Sequence, residues 1–160
     1  MRLTLHTDYA LRTLIYLGLR PGERVGVEAI ADAYRISGHH LDKVVQRLAR
    51  AGFIETHRGR GGGLHLAMPA DRIRIGDVVR RTEEDLALVV CFAADGDPCG
   101  DMTGERCALA GVCMLQGALG QALAAFLRVL DGLTLADLLA GPARGAAAAR
   151  LGLPVTPEPG

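Results

Sequence analysis

A chain of 160 residues with 49% hydrophobic residues and formal net charge zero can bury one core, in a single domain or a small domain with an appendage. Trp is absent and aromatics reach only 4%, so aliphatic side chains must do the packing. No run approaches about 18 uninterrupted apolar residues, and His6, Asp8, Arg12 and Arg20 break up the N-terminus. Membrane spans and signal peptides are therefore not expected, and the expected location is the cytoplasm. The zero hides a split: residues 1–82 hold fourteen Arg or Lys against eight Asp or Glu, and all five His, whereas residues 83–160 hold four against ten. A basic first half is a candidate surface for a polyanion.

In chain order, Thr7 or Asp8 is expected to cap a helix through "YALRTLIYLGLR", where Leu11, Leu14 and Ile15 recur at helical spacing. "VEAIADAYRI" reads as a short amphipathic helix after the turn "PGERVG". "SGHHLDKVVQRLARAGFI" predicts another, from Ser37 to Arg50, with Leu41, Val44, Val45 and Leu48 inward. Ser37 opens it, and His39, His40, Lys43, Gln46 and Arg47 fall on its wet side. Two short helices joined by a tight turn suit a helix-turn-helix whose second member reads DNA. "GFIETHRGRGGGLHLA" then predicts a hairpin, with strands Phe53–His57 and Leu64–Ala67 around a glycine-rich tip at 58–63. A hairpin directly behind a recognition helix is a wing. Arg58 and Arg60, with Gly61 and Gly62 beside them, suit phosphates or a narrow minor groove. The glycines do not match nucleotide loops: no Lys-Ser or Lys-Thr follows Gly63, and Leu64 holds the last place of a dinucleotide fingerprint.

The acidic half begins with a short helix in "IRIGDVVRRTEE". "LALVV" then leads into "CFAADGDPCGDMTGERCALAGVC", which contains all four cysteines: Cys91, Cys99, Cys107 and Cys113. In a reducing compartment, clustered thiols point to metal or redox chemistry before disulfides. Gaps of seven, seven and five residues lack the close pairs of zinc knuckles and suit an iron–sulfur cluster; zinc and redox-switch thiols are the other readings. Cys113 begins the helix "MLQGALGQALAAFLRVL", whose positive end favours an anionic cluster. Leu115, Leu119, Ala122, Leu123, Phe126 and Leu130 form one stripe of that helix, and neighbouring apolar residues widen it. Such a helix needs covering on more than one side, most economically by a second copy of itself. "LTLADLLAG" adds a short helix, and the Ala-, Gly- and Pro-rich end reads as a poorly ordered tail. The expected fold is mainly α with a small β-hairpin wing. It comprises a winged helix-turn-helix DNA-binding domain at 1–82, a cluster-binding loop and long dimerisation helix at 83–140, and a flexible tail at 141–160.

These phrases carry a family likeness. "MRLTLHTDYALR", "LDKVVQRLARAGFIETHRGRGGGLHL", "CALAGVC" and "AFLRVLDGLTLADLL" make residues 1–140 resemble the winged-helix transcription regulators that include NsrR, IscR and RirA. "HTDYALR" and "LTLADLL" are similar to the NsrR branch in particular. IscR-like members place a His three residues past the last cysteine, where this chain has Gln116. The resemblance implies a homodimeric repressor, not an enzyme, bound to a palindromic operator in double-stranded DNA. It implies an iron–sulfur cluster, 4Fe–4S rather than 2Fe–2S, and release from DNA when nitric oxide attacks that cluster. It also implies the ligands: "CALAGVC" anchors Cys107 and Cys113, Cys91 follows "LVV" where a first ligand belongs, and Asp8 matches the family's carboxylate ligand. Asp8 is otherwise a simple helix cap. The family usually has three cysteines with shorter gaps, so Cys99 lies in an insertion, spare or a substitute ligand. An iron- or redox-responsive regulator of RirA type keeps the fold and changes the signal. A structural zinc or electron-carrier protein is the reading from another class.

Overall fold

The computed structural model describes residues 2–93, 95, 96, 109 and 112–154. Three helices come first: α1 (Leu5–Gly18), α2 (Val27–Tyr34) and α3 (Gly38–Arg50). A hairpin of β1 (Ile54–His57) and β2 (Gly63–Leu66), a 3-10 turn (Ala70–Arg72) and α4 (Ile75–Thr82) follow. After the cysteine-bearing segment come α5 (Met114–Asp131), α6 (Leu135–Leu138) and α7 (Pro142–Arg150).

The start of α1 differs from expectation. Thr4, in extended conformation, is the cap, and its hydroxyl accepts from the Thr7 amide at 3.3 Å. Thr7 and Asp8 already lie in helical backbone, so neither can turn back to cap it. Thr7 is instead buried, its hydroxyl 2.9 Å from that of Thr82 at the end of α4. Glu83, 7% exposed, accepts from the Thr4 amide at 2.8 Å and from the Thr4 hydroxyl at 3.1 Å. The end of α4 thus closes the beginning of α1.

Between α2 and α3 the chain reverses through two bonds: Ile36 N–H to Ala31 O at 2.9 Å and Arg35 N–H to Asp32 O at 3.2 Å. That pairing ends a helix with one left-handed residue, here Arg35 at φ 55°. A non-glycine residue there costs about 1–2 kcal/mol, and buried Ile36 anchors the turn. Leu14, Ile30, Leu41, Val44 and Leu48 meet in the core beneath it. The hairpin runs antiparallel, pairing Ile54 with Leu66, Glu55 with His65, Thr56 with Leu64 and His57 with Gly63. Ile54 and Leu64 face the core. Val25, between α1 and α2, adds a one-residue bridge to the outer side of β2, with Leu64 N–H to Val25 O at 2.8 Å. Gly63 (φ 150°) is needed there, since a Cβ would lie 2.9 Å from the Val25 carbonyl oxygen.

The stretch expected as a flexible tail from 141 instead holds α7, and buried Ala148 and Leu153 join the core of residues 1–82. Pro142 in the first turn is pre-set for a helix, and the alanines after it have the highest helix propensity. α6 packs on the same core through Leu135 and Leu139. It approaches α1 so closely that a Cβ on Gly18 would sit 2.4 Å from Leu139 Cδ1. The core therefore does not follow the division expected at residue 82. α5 packs along α4, and its Leu130 lies against the same core. Arg80 of α4 holds α5 with both guanidinium nitrogens on Asp131, Nη2 to Oδ2 at 2.8 Å. This pair lowers the Asp131 carboxyl below its ordinary value.

Candidate nucleic-acid interface and cysteine loop

Ser37, His39, His40, Lys43 and Gln46 are exposed together on the outer face and first turn of α3. Ser37 caps the helix with its backbone, its carbonyl accepting from His40 and Leu41 at 3.1 Å each, and its hydroxyl makes no capping bond. The positive end of α3 suits a phosphate. At the wing tip, Gly59 and Gly61 take positive φ of 90° and 79°, and Gly62 N–H bonds to Gly59 O at 2.9 Å. A Cβ on Gly62 would fall 2.4 Å from the His57 carbonyl oxygen. The result is a tight backbone turn presenting exposed Arg58 and Arg60 and little other side-chain volume.

Arg47 is the exception among the residues expected to read DNA. Its guanidinium turns to the end of α4, with Nε on Arg81 O at 2.7 Å, Nη1 on Glu84 Oε1 at 3.1 Å and Nη2 on Glu83 O at 3.5 Å. His6 lies beside it. Burial, and then the Arg47 charge, hold the His6 imidazole below its ordinary pKa. Thr4, Glu83 and these Arg47 acceptors escaped sequence reading because the partners lie 34 to 79 residues away. No local spacing announces such bonds.

Of the four cysteines, Cys99 and Cys107 lie outside the described residues. Cys91 and Cys113 are free, half-buried thiols. Cys113 is the N-cap of α5, and Gln116 one turn on donates from Nε2 to the Cys91 carbonyl at 3.2 Å. Cys113 thereby sits at the positive end of an 18-residue helix, and Gln116 ties the Cys91 backbone to that helix. This donor set fits an anionic iron–sulfur group. Asp8 is paired with Arg12, Oδ2 to Nη2 at 2.9 Å, and within one chain it does not converge with Cys91 and Cys113. Buried Phe92 anchors the segment, and Gly96 tucks against α5, where a Cβ would lie 2.5 Å from Leu123 Cδ2. Leu123 is the buried residue of α5. At the start of that helix and just before it, apolar side chains are open: Met114 is 90% exposed, Val112 79% and Leu115 64%.

A family model described as "Rrf2: Iron-dependent Transcriptional regulator" matches residues 3–141. The chain belongs to the Rrf2 family. It is 53% identical over 140 residues to the HTH-type transcriptional regulator NsrR of Geobacillus kaustophilus, covering 87% of this chain and 90% of that one. Its identity to NsrR of Bacillus subtilis is 47%, with the same coverage. Among solved structures, it matches CymR, the global cysteine regulator of B. subtilis, with TM-score 0.65 at 23% identity, over 86% of this chain and 95% of that one. T. potens IscR matches with TM-score 0.66 at 22% identity, over 87% and 86% respectively. These two share the fold. This Rrf2 chain is thus an NsrR-type, DNA-binding transcriptional regulator and not an enzyme. Among the described residues, no helix is long and apolar enough to cross a membrane.

Proposed function

We propose that this Rrf2 chain is a cytoplasmic, homodimeric repressor that responds to nitric oxide through an iron–sulfur cluster of 4Fe–4S type. Cys91, Cys107 and Cys113 would hold the cluster, with Asp8 of a second copy as fourth ligand and Cys99 as the substitute. When bound, the cluster supplies iron that reacts with nitric oxide. Residues 1–82 carry the DNA-reading surface: Ser37, His39, His40, Lys43 and Gln46 enter the major groove of each half-site, while Arg58 and Arg60, on a tip shaped by Gly61 and Gly62, hold phosphates or minor groove. Residues 83–140 carry the sensor and the helix that pairs with its copy.

One observation carries the reading. Arg47, on the recognition helix, is bound to Arg81, Glu83 and Glu84, at the root of the segment that runs to Cys91. A change in the path of residues 85–93 therefore reaches α3 through a single guanidinium. The family description of an iron-dependent regulator supports iron at the cysteines, and the identity to NsrR proteins supports the regulator role.

The test is an oxygen-free preparation bound to its operator and titrated separately with nitric oxide, an iron chelator and oxygen. Release by a few equivalents of nitric oxide is the expected result. Release by chelator or oxygen alone would move the assignment to an iron- or redox-responsive regulator. Colourless protein that keeps its operator in all three titrations would end the cluster reading.

A further inference from the structure

The outward face of the wing hairpin carries a second donor set, independent of the cysteines. Glu55 and His57 alternate onto the same face of β1, and His65 stands directly opposite Glu55 on β2. Gly63 opposes His57 and offers no side chain, so the His57 ring leans along the ladder onto His65. The two imidazoles stack with centroids 5.0 Å apart and planes 22° apart. Glu55 Oε2 sits between them, 3.5 Å from His65 Nε2 and 3.8 Å from His57 Nε2. One ligand atom from each of the three residues lies within 4.8 Å of the others. His57 Nε2 and His65 Nδ1 are enclosed without a hydrogen-bond partner among the described residues. An enclosed, unpaired nitrogen is unfavourable and calls for a partner, and His57 Nε2 is the one of the two that faces Glu55.

We propose that Glu55, His57 and His65 form a binding site for a borderline divalent transition metal ion, of which zinc is the type, on the wing of this regulator. Two imidazoles and a carboxylate are the donor set that such ions prefer over magnesium or calcium. Metal–ligand bonds of about 2.0–2.2 Å place ligand atoms roughly 3.3 Å apart around a tetrahedral ion. Small side-chain rotations from the present separations reach that geometry, with a water or a DNA phosphate oxygen completing the coordination. The ion would brace β1 to β2 directly behind Arg58 and Arg60 and add positive charge beside the DNA-facing tip. Metal supply would thus act on the wing itself, whatever signal the cysteines receive.

Cobalt(II) is the probe, added to the full-length, cluster-loaded protein without oxygen. The expected result is one cobalt equivalent bound with ligand-field bands and no thiolate-to-cobalt charge transfer. His57→Gln/His65→Gln and, separately, Glu55→Gln should each weaken binding by at least about tenfold. Glu55→Gln keeps the side-chain shape and carries the test should the double variant fail to fold. Unchanged cobalt affinity in a folded variant, cobalt bound only with thiolate charge transfer, or no cobalt bound at all would overturn the site. None of these readouts depends on nitric oxide or on operator release, so this proposal and the cluster reading fail separately.

Discussion

His6 is a half-buried base whose neutral form the fold prefers. Desolvation, followed by the Arg47 cation, holds its pKa below the ordinary 6.5. The unfolded chain therefore takes up a proton at higher pH than the folded chain, and stability rises with pH through the window below 6.5. The contribution is fully present above that value and lost as pH falls through the folded pKa. Thermal melts at about pH 7.5 and about pH 5.5 should show a larger loss for the wild type than for His6→Gln. At the wing tip, Gly62 lies against backbone oxygen that cannot rotate away, its Cβ position 2.4 Å from His57 O and 2.8 Å from Gly59 O. Gly62→Ala should destabilise the protein by about 1–3 kcal/mol in urea unfolding. A variant as stable as wild type would show that the tip can open without loss.

Arg47 links two elements, α3 and the end of α4, by three acceptors, two of them backbone carbonyls. Arg47→Ala should bring operator affinities with and without the cluster closer together. Arg47→Lys should not restore the difference, because one ammonium cannot span a fork of three acceptors. Operator titrations of both forms of each variant measure this; an unchanged ratio would remove Arg47 from the signal path. The elements themselves were largely legible. The apolar spacing of α1, α3 and α5 and the glycine-rich tip between two alternating strands predict those elements; α3, α5 and the strands end within a residue of expectation, whereas α1 begins at Leu5 rather than Tyr9. The end of the chain was not legible. "PARGAAAARLGL" has the composition of a linker as well as of a helix, and burial of Ala148 and Leu153 decides between them.

Among the described residues, most of the exposed large hydrophobic side chains lie on α5 and just before it, with Leu5 of α1 and Leu138 of α6 exposed elsewhere. Leu115, 64% exposed on the stripe expected to pair two copies, should become a barrier to association when charged. Leu115→Glu should sediment as a monomer and bind a palindromic operator more weakly than wild type, since the half-sites would then be bound without coupling. A stable dimer would place the pairing surface elsewhere.

What the amino-acid sequence alone determined is local and periodic: helical stripes, the alternating strands, the glycine turn and the crowding of cysteines before α5. Each follows from spacings of a few residues, which backbone geometry converts directly into faces and turns. Tertiary structure alone decided that Thr4 rather than Thr7 or Asp8 caps α1, that Arg47 faces inward to α4, and that α6 and α7 complete the N-terminal core. These depend on which distant backbone oxygens, carboxylates and apolar patches the fold brings together, and no run of neighbouring residues encodes that meeting.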